Sequence, residues 1–399
     1  MTVDKLAKLD RYASTISQRA KQVSPSGIRK FFDLLASMEG VISLGVGEPD
    51  YTTPWHIREG AIYSIEKGFT MYTSNLGMPE LRLGLARYLK DSYNLDYDPD
   101  SELLVTVGVS EALDLAMRAI IDPGDEVIMP DPCYVSYNAC VILAGGIPVM
   151  VPTSEENGFE INPSDIEAKV TEKTKAILLG YPANPTGAVM PREKLEQIAE
   201  IARRHKLLVV SDEIYARLIY GVEHTCLATL PGMRDRTILL GGFSKSYAMT
   251  GWRIGYAAAN KEIIAAMTKI HQYTIMSAPT MGQVAAIEAL RSGEGSVSEM
   301  VEDYNRRRLV MVKGLGDIGL SCFEPKGAFY AFPSIRSTGI TSEEFAERLL
   351  VEEKVAVVPG NAFGQCGEGY IRCCYATSLA DIEEALTRMK RFVANHKKA

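Results

Sequence analysis

A chain of 399 residues is longer than one hydrophobic core usually organises, so two domains are expected, or three. With 46% hydrophobic and 23% charged residues and a formal net charge of −7, the composition is that of a globular protein, and it excludes a general polyanion binder, which needs an excess of Lys and Arg. No apolar run is long enough to cross a bilayer and Met1–Asp10 has no signal-peptide core, so the protein is expected in the cytosol, with neither nucleic acid nor membrane as partner.

From about Leu103 to Ala258, short aliphatic runs alternate with longer helical ones, the pattern of a largely parallel α/β sheet. The predicted strands are Leu104–Val107, Glu126–Met129, Ile147–Val151, Ala176–Leu179, Leu207–Val210, Ile238–Leu240 and Ile254–Ala257. Between them, Leu195, Ile198 and Ile201 recur at helical spacing within Glu193–His205, and Asp122-Pro123-Gly124-Asp125 reads as a turn feeding a strand. From roughly Gly293 the rhythm changes to a long helical stretch through Val301–Leu315, followed by Ala328–Phe332, Ser342–Leu350, Val355–Val358, Tyr370–Tyr375 and Asp381–Ala394, which together suit a smaller α+β domain. The expected division is an N-terminal segment over 1–50 packed with the small domain, a large domain over 51–292, and the small domain over 293–399.

Seven cysteines are scattered without paired metal spacing in a chain too large to need stapling, so reduced thiols are expected. The five histidines form no ligand cluster, which argues against a transition-metal site and leaves hard chemistry to an organic cofactor.

In open α/β sheets, ligands bind beyond the carboxyl ends of the strands. Lys245 follows an apolar strand and is the sole charged residue between Thr237 and Trp252, a setting that suits the lowered proton affinity a Schiff-base nucleophile requires, unless the lysine's tip simply reaches solvent. Asp212 closes the run Leu207–Val210 and could pair with a pyridinium nitrogen, although a strand-end aspartate also serves as a helix cap. Asn184 sits in Tyr181–Gly187, a turn set by two prolines and a glycine, and would face the same crevice. Gly108-Val109-Ser110-Glu111 lies between strand and helix and offers backbone N–H groups and a hydroxyl to a phosphate, without dinucleotide or nucleoside-triphosphate spacing. Arg253 adds a fixed charge that could neutralise a phosphate, and Arg372, the one charge in an alternating strand, is built for a carboxylate unless it is simply an edge arginine in water.

Ser244-Lys245 followed by Thr250-Gly251-Trp252-Arg253-Ile254-Gly255 resembles the cofactor-lysine motif of class I aminotransferases. Ile42–Pro54 (ISLGVGEPDYTTP), Tyr72–Arg82 (YTSNLGMPELR), Asp131–Tyr137, Tyr181–Gly187 (YPANPTG), Ser211–Tyr215 (SDEIY), Lys326–Tyr330 (KGAFY), Val355–Phe363 and Tyr370–Thr377 extend the resemblance over nearly the whole chain. Ser26–Phe31 (SGIRKF) and Ile335–Ser342 (IRSTGITS) are similar to aromatic and acetyl-diaminopimelate members of the prokaryotic subgroup, which also includes aspartate aminotransferases.

The resemblance implies a fold-type I transferase: a mainly parallel seven-stranded sheet between helices, plus the smaller α+β domain. It implies pyridoxal 5'-phosphate held by Lys245 as a Schiff base, with Asp212 on the ring nitrogen, Tyr215 and Asn184 on the phenolic oxygen, and Tyr134 stacked on the ring. Phosphate contacts would come from Val109, Ser110, Ser244, Arg253 and Tyr72, the last from a second subunit of a homodimer. Arg372 would bind the substrate's α-carboxylate beside Gly47. Ser110 stands where some relatives carry lysine or glutamine, which leaves the details of the phosphate loop open. The implied reaction is a ping-pong transfer of the amino group of an L-amino acid (aspartate, aromatic or related) to a 2-oxo acid such as 2-oxoglutarate. A β-lyase uses the same cofactor motifs and is not separated by them. A ligand sensor fused to a DNA-binding domain is not expected, because the roughly forty residues before Ile42 hold no helix-turn-helix pattern or basic cluster. No second arginine for a distal carboxylate is evident, and Ile28 suits either an apolar substrate pocket or ordinary core.

Overall fold

The computed structural model describes residues 15–25 and 38–396. The motif Ser26–Phe31, with Ile28, and the N-terminal stretch Met1–Asp10 lie outside the described residues.

A short strand β1 (Ile42–Ser43) precedes the seven that build the central sheet: β2 (Leu103–Thr106), β3 (Glu126–Asp131), β4 (Ile147–Pro152), β5 (Thr174–Leu179), β6 (Leu208–Asp212), β7 (Thr237–Gly242) and β8 (Gly255–Ala258). Their spatial order is β2-β8-β7-β6-β5-β3-β4. The neighbours from β4 to β7 pair in parallel, while β8 runs antiparallel to both β7 and β2. The sheet is therefore α/β and mainly parallel, as expected, with every predicted strand present to within a few residues. Strands β2 and β8 are buried along their full length because helices cover both faces, which is why these segments read as continuous apolar runs and do not alternate.

Strand β6 extends two residues past the predicted Leu207–Val210 and takes in Ser211 and Asp212, so Asp212 belongs to the ladder and does not cap a helix. The helix Arg192–Arg204 buries Leu195, Ile198, Ala199, Ile201 and Ala202, the stripe that its apolar spacing predicts.

Beyond the sheet, the helix Glu294–Ile318 buries Val297, Met300, Tyr304, Arg308, Met311, Leu315 and Ile318 at intervals of three or four, so one face stays against protein for its whole length. It is followed by β9 (Tyr330–Ala331), the helix Ser342–Glu353, β10 (Val355–Ala356), β11 (Val358–Pro359), β12 (Ile371–Cys374) and the helix Leu379–Asn395. The predicted single run Val355–Val358 is split: β10 pairs in parallel with β1, whereas β11 pairs antiparallel with β12 in a three-stranded sheet ordered β11-β12-β9. Val357 is where the chain passes from one sheet to the other, a change of partner that a period-two pattern does not encode. Strand β12 is central in its sheet and wholly buried, so Arg372 is 2% exposed; the edge arginine in water is ruled out.

Candidate active site

Strands β2, β3, β5, β6 and β7 share one direction, so the residues just past their carboxyl ends meet at one edge of the sheet. There they line a cavity of ≈ 720 Å³. Val109 and Ser110 enter after β2, Tyr134 after β3, Asn184 after β5, Asp212 and Tyr215 at and after β6, and Ser244, Lys245 and Arg253 after β7. Gly47 and Arg372 close the other side, from the loop after β1 and from β12. All the site residues expected from the sequence thus come together, except Tyr72, which is 80% exposed and does not line the cavity.

Lys245 is half-buried and lines the cavity. Desolvation, helped by the Arg372 and Arg253 charges, pushes its amine down to about 8. Nζ donates to the Gly47 carbonyl at 2.6 Å, and the Tyr215 and Phe329 rings lie 5.9 and 5.7 Å away.

Asp212 shows the converse effect. Burial raises its carboxyl to about 6, against the Tyr137 hydroxyl donating to Oδ2 at 2.8 Å and the Ile214 N–H donating to Oδ1 at 3.1 Å. Tyr137 reaches this carboxylate because Gly180, just past β5, has no side chain: a Cβ there would collide with the Tyr137 phenol.

Arg372 is a buried cation with no carboxylate partner among the described residues. Its Nη1 donates to Asn184 Oδ1 at 2.9 Å and its Nη2 to the Gly45 carbonyl at 2.7 Å, while Nε has no partner. Because Asn184 Oδ1 is taken by Arg372, the amide's NH₂ remains the donor for anything in the cavity. An uncompensated buried guanidinium is costly unless an anion joins it, and a carboxylate matches its fork.

A second anion cradle lies at the start of the helix Gly108–Ile120, whose N-cap Val107 supplies no side-chain hydrogen bond, so the N–H groups of the first turn stay free for a ligand. Gly108 has φ +72° and a Cβ on it would strike the Arg253 guanidinium, which therefore sits directly over the helix start. Arg253 Nη1 donates to the Thr250 carbonyl at 2.9 Å, and Thr250 Oγ1 donates to Glu48 Oε2 at 3.0 Å.

Among the described lining residues, three cations (Lys245, Arg253 and Arg372) face two carboxylates, Glu48 and Asp212. The surplus, the bare helix terminus and the free Nε fit a phosphorylated cofactor together with a substrate carboxylate. The volume lies within the ~300–1,000 Å³ usual for small-molecule sites.

Two cavity residues went without a role in the sequence reading although both fall in quoted motifs. Tyr137 holds Asp212. Tyr330 bonds the Tyr215 hydroxyl at 2.7 Å and lies 4.4 Å under the Arg372 guanidinium. Tyr215's hydroxyl is thus engaged by Tyr330. Position after a strand signalled Asp212 and Lys245; no comparable local signal marks Tyr137, inside a helix, or Tyr330, inside a strand.

A mainly parallel sheet with a lysine, an aspartate and an anion cradle at its carboxyl edge defines a fold-type I pyridoxal-phosphate enzyme. Residues 39–389 match the family Aminotransferase class I and II, and the chain belongs to that family. It is 48% identical to an aspartate aminotransferase of Pyrococcus abyssi, over 96% of this chain and 99% of that protein. It is 45% identical to aromatic-amino-acid aminotransferase 2 of Thermococcus litoralis, again over 96% and 99%. The solved structure of an aromatic aminotransferase from Pyrococcus horikoshii superposes with a TM-score of 0.88 at 46% identity, over 92% of this chain and 99% of that one. The protein is a transaminase that uses pyridoxal phosphate to move amino groups from amino acids to 2-oxo acids.

Proposed function

We propose that Lys245, Asp212 and Arg372 are the working residues of this transaminase, with aspartate or an aromatic amino acid as donor and 2-oxoglutarate as acceptor. The observation that carries the reading is the desolvated Lys245 amine, set at the same cavity as a buried carboxylate and a buried guanidinium whose Nε has no partner. When bound, pyridoxal phosphate supplies an aldehyde that condenses with amines and a ring that withdraws electrons from the carbon bearing them.

Lys245 Nζ would hold the cofactor covalently through its aldehyde and would be free again as an amine once a substrate amine has taken that place. With its proton affinity lowered to about 8, Nζ then takes up and returns the proton of the substrate α-carbon. Asp212 would hold the ring nitrogen in its protonated form, and a cation there would satisfy a carboxylate whose burial otherwise favours its neutral form. Asn184 and Tyr215 would donate to the phenolic oxygen, Tyr134 would cover the ring, and Val109, Ser110, Ser244 and Arg253 would hold the phosphate. Arg372 takes the α-carboxylate, with Gly47 leaving room beside it.

We further propose a homodimer. Met71 and Tyr72 are 81% and 80% exposed, and Tyr273 is 86% exposed. The segments that carry them are tied together by Asn75 Nδ2 to the Met276 carbonyl at 2.8 Å and Thr280 Oγ1 to the Met71 carbonyl at 2.7 Å. A second copy over this apolar surface would bring its Tyr72 to the phosphate of the first. Pairing of β1 with β10 supports grouping the stretch from residue 38 to 50 with the small domain over 293–399, against a large domain over 51–292, whereas Gln18–Gln22 departs from the expected grouping of 1–50 and packs on the large-domain helix Val135–Ala144, where Arg19 Nη1 donates to the Leu143 carbonyl. Seven cysteines, all free, support a reducing cytoplasmic setting, and no helix among the described residues is long and apolar enough to cross a membrane.

The test is an absorption titration of the purified protein with glutamate, aspartate and aromatic amino acids, then with 2-oxoglutarate. Reversible interconversion of the cofactor bands ranks the donors, and loss of turnover in Lys245→Ala with cofactor still bound is expected. Full turnover in that variant refutes the assignment, and pyruvate or ammonia release without an acceptor would move the activity to the lyases.

A further inference from the structure

Behind the helix start that faces the cavity lies a buried ionisable pair that the chemistry above does not use. His271, on the helix Lys261–Thr274, has no exposed surface, and its Nδ1 is 2.7 Å from Glu111 Oε1. Since a carboxylate accepts, Nδ1 carries the proton. The other ring nitrogen, Nε2, is buried without a partner, so Glu111 is the one side chain among the described residues that the imidazole engages. The second oxygen of Glu111, Oε2, accepts the Val107 N–H at 2.5 Å. Val107 is the N-cap of the helix Gly108–Ile120, and Glu111 belongs to its first turn.

The arrangement poses an electrostatic difficulty. A glutamate in the first turn carries a negative charge toward the N–H groups that a phosphate would use, and a free carboxylate would cap them itself. Here both oxygens are engaged, one by the Val107 N–H and the other by His271 Nδ1, and neither Glu111 nor His271 lines the cavity. Val109 and Ser110 are left facing the cavity, with Arg253 packed over Gly108.

We propose that His271 is a positioning residue for the cofactor phosphate, acting through Glu111: it holds that carboxylate back against Val107 and keeps it out of the phosphate's place on the helix terminus. The proposal rests on the reading of Val109, Ser110 and Arg253 as the phosphate cradle.

The experiment measures the dissociation constant of pyridoxal phosphate and the phosphorus NMR signal of the bound phosphate in the full-length enzyme. His271→Leu should weaken binding about tenfold or more and shift or broaden the phosphorus resonance. His271→Asn, whose side-chain NH₂ can donate from nearly the place of Nδ1, should stay within about threefold of the parent. Because His271 acts through Glu111, adding His271→Leu to Glu111→Ala should weaken binding no further than Glu111→Ala alone. Equal losses in the Leu and Asn variants, or additive losses in the double variant, would overturn the proposal. If His271→Leu does not fold, the Asn variant and Glu111→Gln decide it. The Gln carboxamide can keep both contacts only by donating to an unprotonated Nδ1, which moves the imidazole proton to the buried Nε2 where no acceptor meets it, so unchanged binding there overturns the role. Arg253→Gln separates the two levels: weakened binding there with an indifferent His271→Leu removes only the His271 role, whereas indifference in both removes the cradle reading with it.

Discussion

Replacing Asp212 with Asn should stabilise the cofactor-free protein while destroying its function. Burial holds the Asp212 carboxyl at about 6, against an ordinary 3.8, so the folded chain binds this proton more tightly than the unfolded chain does. The stability that this group contributes is therefore complete below about pH 4, is lost as pH rises toward 6, and stays lost above it. A difference of about two pKa units corresponds to about 3 kcal/mol, which is the expected gain of Asp212→Asn at pH 8. The substitution keeps the local geometry, since the amide oxygen can accept from Ile214 and the Tyr137 hydroxyl can turn to accept from the NH₂. The assay is urea unfolding of both cofactor-free proteins at pH 8 and pH 5, with the gain expected to shrink at the lower pH. With cofactor added the order should reverse, because only the carboxylate can pair with a protonated ring nitrogen. A variant no more stable than the parent at pH 8, or a gain independent of pH, would refute the argument from desolvation.

Lys245, held near 8, is about half free base at pH 8, whereas a surface lysine with its ordinary pKa of about 10.4 is under about 1%. Acylation of the cofactor-free protein at pH 8, followed by peptide mass spectrometry, should label Lys245 at least tenfold faster than surface lysines of similar access, and the preference should vanish near pH 11; uniform labelling at pH 8 contradicts it. Arg372→Lys cannot reproduce the bonds to Asn184 and Gly45 while also offering a free donor to substrate. Its kcat/KM should fall by about a hundredfold, about 3 kcal/mol, mainly through KM and with the cofactor spectrum intact; a change below about fivefold speaks against a carboxylate site. Tyr137→Phe removes a hydrogen bond to the Asp212 carboxylate and should lower kcat about tenfold, about 1.4 kcal/mol, at saturating cofactor; an unchanged kcat would mean that the phenol only packs.

The sequence alone sufficed for the seven strands of the main sheet and for the polar residues at their ends. Both follow from local rules: burial on two faces demands continuous apolar runs, and parallel strands bring their carboxyl ends to one edge. Lys245, Asp212, Asn184 and the Val109–Ser110 turn were legible for that reason. Arg372 was legible as a charge on a strand, yet its burial followed only once β12 lay between β11 and β9. Tyr72 was marked by resemblance alone, and its exposed position is consistent with a partner subunit.

What the tertiary structure alone decided are the contacts between segments far apart in the chain. Tyr137 meets Asp212 across 75 positions, Tyr215 meets Tyr330 across 115, and His271 meets Glu111 across 160. Local periodicity states which face of an element is apolar, but not which other face it will meet, and the approach of Tyr137 depends further on Gly180 being bare. The proton affinities of Asp212 and Lys245 are of the same kind. They are set by the protein that replaces water around each group, so the residue types could be read from the sequence, and their chemical states only from the fold.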